Sequence, residues 1–299
     1  MIIDISQILS FRHNPKYCND SWWSPMIYNV DFDKFLKSYP KIYHDFYFII
    51  DSEHNFLKFN NKSNNVFCNS LSVSTLIQKL NYSDRFCNLI IAGDDNKLSS
   101  NIDLLKKIRH NFKKIYYEAK DIECDWVQTI PMGMIMAYML RNGGNKTIIS
   151  QINKKKNKSK LIATAFGSKW PSLTEVIPDR HKLNDLTSSS SLIDNVFCEP
   201  SDFYKTLCDY KFFASPLGNG IQTPKICESI MCETVPVVTN HVAHRELRDF
   251  YKLPIMIVED WRDLSKNFLD NAWNSEYKFI DWNAEKSKFL TKNFCNLLN

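Results

Sequence analysis

The segment Phe212 to Asn240, FFASPLGNGIQTPKICESIMCETVPVVTN, gathers residue types that bind anions and sugar hydroxyls. An apolar run ends at Ser215 and Pro216, a loop carries Gly218, Asn219 and Gly220, and a helix opens at Thr223 or Pro224, where proline's missing N–H is not needed. Main-chain N–H groups at Gly218, Asn219 and Gly220, with the positive end of that helix, form a cradle for a diphosphate. Lys225 brings a cation to the first turn. Glu228, about one turn further, is placed to accept from a ribose or sugar hydroxyl. Carboxylates that follow strand-like runs are candidate proton acceptors. Asp94 and Asp95 close LIIAGDD, Asp51 and His54 follow FYFII, and Glu118 lies in YYEAK. For Asp94 and Asp95 an Asx turn competes with catalysis, and Glu118 reads as a solvated carboxylate.

Other motifs carry less. Asp31-Phe-Asp33 has the D-x-D spacing of a divalent-metal site, but no nucleotide-binding strand precedes it. His241 and His244 share helical spacing, yet Cys227 and Cys232 lie across an intervening strand, so no zinc site is expected. Trp22, Trp23 and Tyr28 offer a stacking platform or a core, and Trp170 and Trp261 the same choice. A dinucleotide fingerprint would continue Gly218 and Gly220 with a third glycine; Thr223 stands there instead.

Strand-length apolar runs alternate with helix-compatible segments in both halves of the chain, which predicts an α/β protein with parallel sheets. Phe46 to Ile50, Asn88 to Ala92 and Lys114 to Tyr117 read as strands, with helices at Leu71 to Leu80 and Ile102 to Phe112. After Gln151 to Lys160, QINKKKNKSK, a basic stretch that reads as a linker, strands are expected at Lys160 to Phe166, Lys211 to Ser215, Val235 to Thr239 and Ile255 to Val258. Intervening helices at Thr174 to Leu186, Ser201 to Tyr210, Pro224 to Cys232, His244 to Tyr251 and Trp261 to Trp273 complete a doubly wound domain. The expected organisation is 1–150, a linker over 151–160, a second domain over 161–280, and a terminal helical segment, 281–299, packing back on the first domain. The chain has 299 residues, 44% hydrophobic, which is ample for two cores. A net charge of +5 from 38 basic and 33 acidic residues is too small and too dispersed for a nucleic-acid binder. Nine cysteines without paired spacing argue against a disulfide framework and for a reducing compartment. No stretch reaches the roughly 20 apolar residues of a membrane span, and the expected localisation is cytoplasmic.

The pattern over Ser215, Pro216, Gly218, Asn219, Gly220, Lys225, Glu228 and Pro236 to Val238, continued by Leu253 to Ser265 (LPIMIVEDWRDLS), resembles the donor-site signature of exostosin-like GT-B glycosyltransferases. LIIAGDD and the later YYEAK and QTIPMGM are similar to weaker motifs of the soluble bacterial and viral-type members. The sequence departs from the family at Gln222, Lys225 and Cys227, where aspartate, arginine and an aromatic residue are common. A lysine keeps the charge but loses arginine's planar fork. The resemblance implies two Rossmann-like domains facing across a cleft. It also implies a nucleotide-sugar donor, UDP- or GDP-linked, a glycan acceptor, and inverting transfer without a metal or other cofactor. It assigns donor binding to the seven signature residues from Ser215 to Glu228 with Arg180, and the general base to Asp95, Asp94 or Asp51. A GT-B-shaped protein that binds carbohydrate or a partner without catalysis is the alternative.

Overall fold

The computed structural model describes residues 46–49, 56–58, 64–134, 150–153, 158–166 and 178–289. They divide into two units, 46–134 and 150–289.

In the first unit the strands are β1 (Phe46–Ile49), β2 (Phe56–Lys58), β3 (Asn65–Cys68), β4 (Phe86–Ile91), β5 (Phe112–Tyr117) and β6 (Val127–Thr129). They form one sheet in the order β2-β1-β3-β4-β5-β6, with only the β1 to β2 pairing antiparallel. Helices α1 (Val73–Lys79) and α2 (Ile102–Ile108) fill the crossovers after β3 and β4. Alternate residues of the strands, Val66, Cys68, Leu89, Ile91, Ile115 and Tyr117, pack with Val73, Leu76, Leu105 and Ile108 into one core. The intervening Phe67, Ile90 and Tyr116 are buried too. Burial on both faces is what a parallel sheet requires, and it explains why these strands read as continuous apolar runs.

The second unit has five parallel strands, β7 (Lys160–Thr164), β8 (Asp194–Asn195), β9 (Tyr210–Ala214), β10 (Val235–Thr239) and β11 (Met256–Val258). Their order is β11-β10-β9-β7-β8. Its helices are α3 (Pro178–Ser189), α4 (Phe203–Leu207), α5 (Pro224–Met231), α6 (Val242–Asp249), α7 (Lys266–Ser275) and α8 (Trp282–Ser287). Ile162, Phe212, Ala214, Val235, Val237 and Val258 form its core with Leu183, Trp261, Leu269 and Tyr277. Pro236 sits inside β10 although it cannot donate to a neighbour. The Val237 carbonyl accepts from Ser215 beyond β9, so the alternating Pro236 faces the β11 side. There the pairing begins only at Val237 with Met256, and no ladder bond is forfeited.

Two expectations on organisation change. The supposed linker is partly structure: residues 150–152 are helical, Ile152 is buried, and the Gln151 side chain donates to the Ser201 carbonyl (2.9 Å) and accepts from the Lys205 N–H (2.9 Å). Lys158 is anchored as well, its Nζ donating to the Cys232 carbonyl and to Thr234 Oγ1, both at 2.8 Å. The segment expected to pack back on the first domain starts otherwise. Helix α8 stays with the second unit, where the buried Lys286 Nζ meets Glu233 Oε1 at 2.6 Å. Residues 290–299 lie outside the described residues.

Candidate functional site

The order of the second sheet reverses at one place. From β7 the chain steps outward to β8 on one side, and from β9 it steps to β10 and β11 on the other. Connections leaving adjacent strands in opposite directions open a crevice beyond their carboxyl ends, where open α/β sheets bind ligands. The ends of β7 and β9 are in register, Thr164 opposite Ala214, and Thr164 Oγ1 donates to the Ala214 carbonyl at 2.8 Å. The Ser215 to Thr223 loop leaves from this point.

That loop is a closed turn. The Gly218 N–H donates to the Ile221 carbonyl (2.9 Å), the Ile221 N–H returns to the Gly218 carbonyl (3.0 Å), and the Gln222 N–H donates to the Gly220 carbonyl (2.9 Å). A Cβ at Gly218 would lie 2.5 Å from the Gln222 carbonyl oxygen, so only glycine fits. Ile221 is held at φ 72°, a left-handed conformation costly for a β-branched residue. Such strain persists only where surrounding structure enforces it, and it concentrates at functional sites. Ser215 Oγ and Thr223 Oγ1, 2.7 Å apart, staple the strand end to the helix start. Thr223 has extended backbone as the N-cap of α5, and Pro224 takes the first helical position, as the sequence indicates.

The first turn of α3 grips this loop from the side. Asp179 Oδ2 accepts from the Leu217 N–H at 2.8 Å and Arg180 Nε donates to the Leu217 carbonyl at 3.1 Å, so the peptide groups on either side of Leu217 are held by consecutive residues. The other Asp179 oxygen accepts from Trp261 Nε1 at 2.8 Å. Trp261 is fully buried, which settles its role as core. Asp260 caps the short helical turn Trp261–Asp263 in a capping box, and its hydrogen bonds from Arg262 hold its carboxyl well below the usual range. Trp261, within the Leu253 to Ser265 stretch, thus fastens the Asp179 carboxylate.

On α5, Glu228 is fully buried. Its Oε2 lies 2.8 Å from Lys225 Nζ, and its Oε1 accepts from the Tyr204 hydroxyl at 3.1 Å. The Lys225 ammonium also stands 3.7 Å from the centroid of the Phe203 ring, a close cation–π contact. Lys225 keeps a side-chain exposure of 24%. The residues expected to meet a phosphate and a sugar hydroxyl separately are therefore one ion pair, supported by α4. Of the three amides expected to cradle an anion, that of Gly218 is engaged inside the turn.

In the first unit the described candidate carboxylates follow β4 (Asp94 and Asp95) and β5 (Glu118). Asp94 accepts from the Ser70 N–H (2.6 Å), the Ser70 hydroxyl (2.7 Å) and the Asn96 N–H (3.0 Å). The last is an Asx turn. Gly93 turns the chain at φ 96° and donates its N–H to Glu118 Oε2 at 2.9 Å. Glu118 is 1% exposed, which corrects the expectation of a solvated side chain. Asp95 stands beside Asp94, half-buried. Asp51, His54, Asp31, Asp33, Trp22, Trp23, Tyr28 and Trp170 lie outside the described residues.

The histidines have local partners. His244 is buried and its Nδ1 faces the Thr239 carbonyl at 2.9 Å; a carbonyl only accepts, so this nitrogen carries the proton. Burial pulls its pKa down to about 4. His241 Nδ1 accepts from the Ala243 N–H as the N-cap of α6. Burial pushes the Cys227 thiol up, away from the thiolate a metal needs. Among the described residues no group of three His, Cys, Asp or Glu is placed to hold a metal ion.

Sequence reasoning missed Asp179, Phe203 and Tyr204. Their partners lie 38, 22 and 24 residues away, and no local pattern marks such pairs. No helix among the described residues is long and apolar enough to cross a membrane. Compared with known proteins, the chain matches no family model and no curated protein.

Proposed function

We propose that the protein is a GT-B glycosyltransferase. Its second unit would hold a nucleotide-sugar, UDP- or GDP-linked, and its first unit would serve a glycan acceptor. The observation that carries this is the reversal of strand order between β7 and β9 with the strained Ser215 to Thr223 loop leaving from it. The exostosin-like signature falls on that loop and on α5. In this reading Lys225, the Asn219 and Gly220 amides and Arg180 meet the leaving diphosphate in place of a divalent metal. Glu228 fixes the Lys225 ammonium and orders the sugar side of the site. Asp95, which follows β4, is the base in the first unit in this reading; Asp94 beside it accepts from Ser70 and Asn96. The transfer inverts the anomeric centre.

That commitment of Asp94 also supports a second reading, a protein of the same shape that binds a nucleotide-sugar or glycan without transferring it. A panel of UDP- and GDP-sugars assayed for binding and for transfer or hydrolysis separates the two. Binding with turnover that is lost in Asp95→Asn supports the enzyme, and binding without turnover supports the second reading. No binding of any nucleotide at millimolar concentration rejects both.

A further inference from the structure

We infer that Asp179 is a positioning residue for ligand binding at the second unit's switch point, acting through the Leu217 peptide. This rests on the reading of that point as a nucleotide site. Asp179 has 8% exposure and bridges two N–H donors, the Leu217 main chain at 2.8 Å and the Trp261 indole at 2.8 Å. One donor belongs to the loop that would contact the ligand. The other belongs to a fully buried ring in the core. The carboxylate therefore transmits the rigidity of the core to the loop, and Arg180, one residue on, fixes the next peptide group through the Leu217 carbonyl. The consequence reaches the turn next in sequence. Leu217 immediately precedes Gly218, whose paired bonds with Ile221 set the directions of the Asn219 and Gly220 amides. An ionised carboxylate is required because both partners are donors; an asparagine of the same shape accepts on one side only and turns an N–H toward the other.

Asp179→Asn tests this against Asp194→Asn, which removes a carboxylate of the same unit that accepts from the Tyr210 hydroxyl rather than from the loop. Binding of UDP and GDP is measured by calorimetry in the full chain, with folding checked by circular dichroism and Leu217 amide exchange followed by NMR. Preorganisation is worth on the order of tenfold in affinity, so Asp179→Asn is expected to bind about tenfold more weakly with faster Leu217 exchange, while folded Asp194→Asn binds like the wild type. A role in stability alone would lower the melting temperature and leave the affinity of the folded protein unchanged. Unchanged affinity in Asp179→Asn overturns the positioning role and leaves the nucleotide site standing. If the folded wild type binds neither nucleotide, the proposed function falls and the positioning role falls with it.

Discussion

The carboxyl ends of the two sheets use the same device for different ends. In the first unit Asp94 and Glu118 tie neighbouring strand-end loops together through the N–H groups of Ser70, Asn96 and Gly93. The order β1-β3-β4-β5-β6 follows the chain, each parallel strand being added on the same side, so the described strands contain no switch point. In the second unit Asp179 likewise receives a main-chain N–H, but at a place where the strand order reverses and where Lys225 supplies a partly exposed cation. An acid at the end of a parallel strand is thus not by itself evidence of catalysis. What distinguishes the second edge is the reversal and the charge beside it.

The largest expected effect that sharpens this contrast comes from Glu228→Ala. It leaves Lys225 and the Tyr204 hydroxyl without their shared acceptor in a buried setting, and breaking such a pair costs about 3–4 kcal/mol, near the lower end because Lys225 reaches solvent. Urea denaturation should show that loss, and Glu228→Gln, which can still accept from Tyr204, should show a smaller one. An alanine variant as stable as the wild type would mean that the pair is not a structural part of the site.

Acid separates the two units next. His244 titrates at about 4 in the fold against 6.5 when unperturbed. Between these values the unfolded chain binds a proton that the folded protein refuses, so stability is intact above pH 6.5 and falls as the pH drops to about 4. The total is about 3 kcal/mol. The loss should be confined to the unit holding β10 and α6 and should vanish in His244→Asn, which keeps a donor for the Thr239 carbonyl. Amide exchange across this pH range, resolved by unit, is the measurement; equal loosening of both units would contradict it.

The sequence told more about strands than about what joins them. Val235 to Thr239 is legible to the residue because four consecutive positions are buried between turn residues, and β9 and β11 are legible to within one. The helix expected over Trp261 to Trp273 is instead a capped turn followed by α7, because Asp260 and Ser265 each cap a separate start. β3, only four residues in an asparagine-rich stretch, leaves no mark, and β8 leaves less. It is two exposed polar residues, placed by pairing with Ala163 and Thr164 and by the Tyr210 to Asp194 hydrogen bond. Yet β8 is what makes the order reverse. The glycine-containing loop was visible because a strand-length apolar run, Gly218 and Gly220, and the helix-opening Pro224 follow one another. Its fastening was not, since Asp179 reaches Trp261 across 82 residues.

The smallest effect tests the comparison most directly, because it applies the substitution discussed for Asp179 to the other edge. In Asp94→Asn the remaining oxygen can still serve the Ser70 hydroxyl and the Asn96 N–H, but the new amide group faces the Ser70 N–H, donor against donor. Losing one main-chain bond to a partly buried acceptor costs about 1–2 kcal/mol, which chemical denaturation resolves. If the two edges differ as argued, Asp94→Asn lowers stability and leaves UDP and GDP affinity unchanged, whereas Asp179→Asn weakens affinity in protein that remains folded. Weakened nucleotide binding in Asp94→Asn would make the first edge part of the donor site and remove the distinction between an acid that braces loops and one that orients a binding turn.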